Sequence, residues 1–226
     1  MDSSCFGLGE LPSQKEMSKL ISKIEKQFPN SDSYELEYWM GIALRNYTAW
    51  FIRGDERAQY LSKAVQHLER AFDLYDEDVP EMHPTSRPLN RNVIAGEVGS
   101  ILIDEAAIRD LEKGMLYLEF LFKNTRNYDP YLCSYAEGFY KLKDYDKAAK
   151  IGLELVRRAE KYAKRDLGAI PPAPLNIVVK SYRAKAKEAK KNGRTSEAIA
   201  LLQQLVDMDR ATDNDKKILE TLQINK

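Results

Sequence analysis

The sequence predicts an all-α fold, and three observations carry that expectation. Nearly every long segment places its apolar residues at the three- and four-residue spacing of one helix face. No stretch alternates apolar and polar residues long enough to argue a strand. The 11 glycines and 9 prolines among 226 residues are too few for a fibrous or low-complexity chain. About ten helices follow, covering about 80% of the chain where globular domains average one third, so the architecture must be a helical array or bundle.

The elements follow in order. A leading helix within 12–30 carries the stripe Met17, Leu20, Ile21, Ile24 and Phe28. Ser13 is its expected N-cap, Glu16 completes a capping box, and Pro29-Asn30 ends it. A helix pair within 33–76 follows Ser31-Asp32-Ser33, with Gly54 at the turn. Pro80, Pro84 and Pro88 then break the chain, since proline lacks the amide donor and disfavours helix before it. Helices resume at 90–109 and 111–124 (a pair within 90–127), at 130–142 and 144–165, and at 174–191 and 195–208 (a pair within 174–210). A capping helix within 212–226 closes the chain. Pro171-Pro172-Ala173-Pro174 reads as a stiff lead into the eighth helix, where proline suits the first turn.

Comparing the helices pairwise exposes a repeat. In 131–148, Leu132, Tyr135 and Phe139 share a face with the small Ala136, and after a tight turn Tyr145 and Ala148 open the next helix. Small residues let two backbones approach, and large ones fill the space beside them. The arrangement recurs at Tyr182, Ala186, Ala189, Gly193, Ala198, Leu202 and Leu205, and more weakly at Gly41, Ala64, Leu68 and Ala71 and at Gly114, Leu118 and Leu121. The aligned small positions Ala64, Gly114, Ala148 and Ala198 lie 50, 34 and 50 residues apart. On these residues the chain resembles a divergent tetratricopeptide repeat protein, whose period is 34 residues. The resemblance covers about 35–210, although no repeat carries the family's tryptophan or closing proline. It implies a right-handed superhelical array of antiparallel helix pairs, with the first helix of each pair lining a concave groove. Some members of the family clamp a C-terminal carboxylate with Lys, Asn and Arg from successive repeats. Here the matching positions hold Tyr38, Ile42, Ser100, Pro130 and Ser134, so that mode is not implied.

Catalytic and metal chemistry leaves no signature. His67 and His83 are isolated, and Cys5 and Cys133 have no paired spacing; both facts argue against a zinc site or disulfide framework and fit a reducing compartment. Gly7-Leu8-Gly9 lacks the strand and third glycine of a phosphate loop, and Gly96 and Gly99 read as close-packing residues within a helix. Asp76-Glu77-Asp78 and Asp104-Glu105 read as solvated carboxylates, and Asp213-Asn214-Asp215 lacks the glycine and glutamate of a calcium loop. No enzyme activity and no cofactor are expected. No apolar run approaches the about 18 residues of a membrane span. Nor does Met1-Asp2-Ser3-Ser4 open a signal peptide, so a soluble, cytoplasmic protein with no membrane partner is expected.

Thirty-five basic and 35 acidic residues balance overall, but not by region. Residues 141–194 hold 16 Lys/Arg against 6 Asp/Glu, whereas 1–140 hold 15 against 23. Lys180, Arg183, Lys187, Lys190 and Arg194 follow at intervals of 3, 4, 3 and 4, which puts them on one helix face. That face is either ordinary solvated surface or the basic wall of a groove for an acidic protein or peptide, with Glu137 and Tyr140 on the preceding repeat as the other wall. Nucleic-acid binding by the basic region is the alternative, with only Tyr162 and Tyr182 nearby as stacking platforms. An accessory subunit of an enzyme complex is a third reading, and a homodimer is compatible with each. The aromatics Tyr34, Tyr38, Trp39, Tyr47, Trp50, Phe51 and Tyr60 are expected to be core, or else an aromatic groove for a partner.

Overall fold

A computed structural model describes residues 13–27, 31–76, 89–166 and 172–224. Phe28, Pro29, Asn30, Pro80, Pro84, Pro88, His83, Pro171, Cys5 and Gly7-Leu8-Gly9 lie outside them. The described residues are 82% helical and contain no strand. Ten α-helices follow one another: α1 (Gln14–Gln27), α2 (Tyr34–Phe51), α3 (Glu56–Leu74), α4 (Arg91–Asp104), α5 (Leu111–Asn124), α6 (Leu132–Lys141), α7 (Tyr145–Asp166), α8 (Pro172–Lys191), α9 (Thr195–Asp207) and α10 (Asp213–Ile224).

Side chains that satisfy the first free amides set several starts. Ser13 and Glu16 form the expected capping box: the Ser13 amide donates to Glu16 Oε2 at 2.9 Å and the Glu16 amide donates to Ser13 Oγ at 3.4 Å. Ser33, Asn90 and Asp110 accept from the amides of Leu36, Val93 and Lys113. The helix expected at 90–109 ends five residues early. Glu105 is extended and pairs with Arg57 at 2.8 Å, and a 3-10 turn at Ala106–Ile108 follows. The Asp110 amide then donates back to the Leu102 carbonyl at 3.0 Å, so tertiary pairing overrides the local period.

Packing is between chain neighbours. α2 packs on α3, α4 on α5, α6 on α7, α8 on α9 and α10 on α9, while α4 also meets α6 and α6 meets α8. Apolar clusters centred on Leu44, Leu68, Leu118 with Leu132, and Leu205 form a string of cores along the chain. Two of the pairs close in the same way. A Cβ built on Gly41 of α2 would lie 2.9 Å from Leu68 Cδ2 and 3.0 Å from the Ala64 carbonyl oxygen of α3. A Cβ built on Gly99 of α4 would lie 2.9 Å from Leu118 Cδ2 and 3.0 Å from the Gly114 carbonyl oxygen of α5.

Two of the turns match as well. After α6, Leu142, Lys143 and Asp144 donate to the carbonyls of Gly138, Tyr140 and Phe139. After α8, Asn192, Gly193 and Arg194 donate to Glu188, Lys190 and Ala189. These are the same bonds fifty residues on, a Schellman closure with a left-handed residue at Lys143 (φ 61°) and Gly193 (φ 72°).

Candidate partner-binding surfaces

Three places on this scaffold gather functional groups. The first is the basic stripe on α8. Lys180, Lys187 and Lys190 are exposed. Lys180 Nζ lies 3.9 Å from Glu137 Oε2 on α6, so the structure brings this predicted pair together. They border a cleft of about 260 Å³ lined also by Asp104, Cys133, Ser134 and Asn176. Ser134 Oγ donates to Asp104 Oδ2 at 2.6 Å, and Lys141 Nζ donates to Asp104 Oδ1 at 3.2 Å. Asp104, read from the sequence as solvated, is exposed while making these bonds, whereas Glu105 is half-buried against Arg57. Tyr140 is not in the cleft; its ring meets Tyr145 with centroids 5.4 Å apart. Cys133 is a free thiol that burial pushes above its ordinary pKa, so it is not poised as a nucleophile.

Arg183 is engaged within the chain. Its Nε donates to Asp215 Oδ2 at 3.0 Å and its Nη2 to the Arg210 carbonyl at 2.9 Å, clasping the α9–α10 connection. Lys185 is likewise bound, to Asp146 at 2.5 Å. Burial raises the Asp215 carboxyl, but the Thr212 amide and hydroxyl and Arg183 together hold it below its ordinary pKa. A depressed folded pKa gives stability that is full above the unfolded value, about 4, and lost as pH falls through the folded one. Thermal melts should therefore show Asp215→Asn less stable than wild type at pH 7, with the two curves converging as pH falls below about 4.

The second place is a buried carboxylate. Glu97 of α4 receives Arg45 Nη1 of α2 at 2.5 Å and the Tyr131 hydroxyl that precedes α6. Burial, then the Glu97 charge, pushes the Tyr131 phenol far above its ordinary pKa, so it stays a donor. On α2, buried Glu37 lies 2.6 Å from Nδ1 of the half-buried His67 on α3. Both groups tie helices together. The sequence reading missed Glu37 and Glu97, because a carboxylate in a helical pattern gives no sign of burial.

The third is a groove of about 780 Å³ between α5 and α7. The α5 wall carries Glu112, Met115, Leu116, Glu119 and Phe122; the α7 wall carries Lys147, Lys150, Ile151, Glu154 and Arg157. Tyr135 and Phe139 of α6, with Leu142 just after it, form the floor. Leu116 is 68% exposed and Leu142 49%. On α2, Trp39 and Trp50 are also exposed, at 44% and 43%, whereas Tyr34, Tyr38 and Tyr47 are core. The expectation that these aromatics are all core fails at the two tryptophans, which stay exposed.

Among the described residues no group of His, Cys, Asp and Glu could hold a metal, and no helix is long and apolar enough to cross a membrane. No known protein family, curated protein or solved structure matches the chain.

Proposed function

We propose that this chain is a divergent tetratricopeptide-like array acting as a non-enzymatic, cytoplasmic scaffold that receives a segment of another protein. The observation that carries the reading is the likeness of successive pairs: Gly41 against Ala64 and Leu68, Gly99 against Gly114 and Leu118, and the two matching turns after α6 and α8. Contacts of α4 with α6 and of α6 with α8 support a row of three of the first helices, α4, α6 and α8, forming one wall. On that wall the α6–α8 cleft, with Lys180 and Glu137, is the place for the partner segment, and Lys187 and Lys190 extend it with positive charge.

The test is affinity purification from the native host with wild type and a Lys180→Glu, Lys187→Glu, Lys190→Glu variant. Arg183 is left intact because it holds α10. Each exposed contact is worth at most about 1 kcal/mol, so the triple change is needed to lower affinity tenfold or more. The reading expects a partner retained by wild type and lost from a variant whose melt is unchanged. Equal retention would remove the cleft as the site. Nucleic acid, the second reading, rests on the basic excess of 141–194, part of which is consumed by Asp146, Glu154 and Asp215. Nucleic-acid binding that falls steeply with salt would favour it instead.

A further inference from the structure

We propose that the groove between α5 and α7 docks a short amphipathic helix from another protein, with acidic residues on one flank of its apolar stripe and basic residues on the other. The site is separate from the α6–α8 cleft and does not rest on it.

The two walls are built alike. Each presents side chains at positions i, i+3, i+4, i+7 and i+10 of its helix, a single face about 15 Å long at 1.5 Å per residue. Three helical turns of a guest would match that length. The floor is aromatic and aliphatic, and Leu116 stands open at the rim. An apolar floor rimmed by charge has the make-up of an interaction site. Both walls are helices whose amides bond within the helix, so an extended strand would find no backbone edge to pair with. A helix, whose own backbone is satisfied, has no such need.

The rims select the guest's charge. The α5 side offers Glu112 and Glu119; the α7 side offers Lys147, Lys150 and Arg157 against the single Glu154. Some of these groups have partners: Lys123 on Glu119 at 2.7 Å, Asp144 on Lys147 at 3.1 Å and Glu154 on Arg157 at 3.9 Å. All three are exposed pairs on one helix or at its cap, the kind that exchange at little cost. A guest with basic side chains toward α5 and acidic ones toward α7 complements both rims. Turning such a helix end for end exchanges its flanks, so the rims also fix its direction.

Three labelled 16-residue helical peptides of equal composition in charge test this by fluorescence anisotropy on the full chain. One has segregated flanks, one has the charges interleaved on both flanks, and one has the segregated flanks with its leucine stripe changed to serine. The segregated peptide should bind at micromolar concentration, the interleaved one at least tenfold more weakly, and the serine peptide not at all. Leu116→Glu should weaken the segregated peptide at least tenfold with an unchanged melt, because the side chain is exposed. Lys150→Glu with Arg157→Glu should shift preference to a fourth peptide, with basic residues on both flanks. The Lys180, Lys187, Lys190 variant should bind the segregated peptide as wild type does, which separates this groove from the α6–α8 cleft. Absence of binding by the segregated peptide, equal binding by the interleaved one, or indifference to Leu116→Glu would overturn the proposal. So would a wild-type dimer that Leu116→Glu dissociates, since the guest would then be a second copy of this chain.

Discussion

Gly99→Ala should destabilise the protein by about 1–3 kcal/mol, although alanine is the better helix former by up to about 1 kcal/mol. The added methyl would enter contact range of the fully buried Leu118 side chain and of the Gly114 backbone, and neither is a free chain end that can swing aside. The cause can be isolated. Leu118→Ala alone should cost about 2–5 kcal/mol by leaving a cavity, but in that background Gly99→Ala should cost clearly less than in wild type, because the leucine is gone and only the Gly114 carbonyl still crowds the methyl. Urea denaturation followed by circular dichroism on the four variants of this cycle measures the coupling. Additive losses would mean that the two helices are held apart by something other than this contact.

Glu97→Ala should cost about 2–3 kcal/mol, since it removes the buried acceptor shared by Arg45 and the Tyr131 hydroxyl. Tyr131→Phe should cost less, because Glu97 keeps Arg45, which still reaches solvent. Glu97→Ala combined with Tyr131→Phe should lose less than the sum of the single changes, the mark of groups acting through one network. Chemical denaturation checks the order, and a Glu97→Ala variant as stable as wild type would make the network ornamental to folding.

The helices and several of their caps were legible because their causes are local. Ser13 with Glu16, and Ser33 before Tyr34, need only neighbours three residues away to act. The early end of α4 was not legible, because Glu105 leaves the helix for Arg57, 48 residues back in the chain. The site behaves in the same way. Spacing alone put Lys180 and Arg183 on one face, and nothing in that spacing told that Arg183 faces Asp215 across the α9–α10 connection. The α5–α7 groove is the clearest case. Glu112 to Phe122 and Lys147 to Arg157 lie on two separate helices in the sequence, and only the placement of α6 between those helices makes them two walls of one groove.

The habit of packing on chain neighbours, seen from α2 through α10, has a kinetic consequence. Each helix finds its partner after closing a short loop, so little entropy must be surrendered before contacts begin to reward the search. Helical proteins dominated by such local pairings fold in microseconds to milliseconds. A chain built this way gathers its structure link by link.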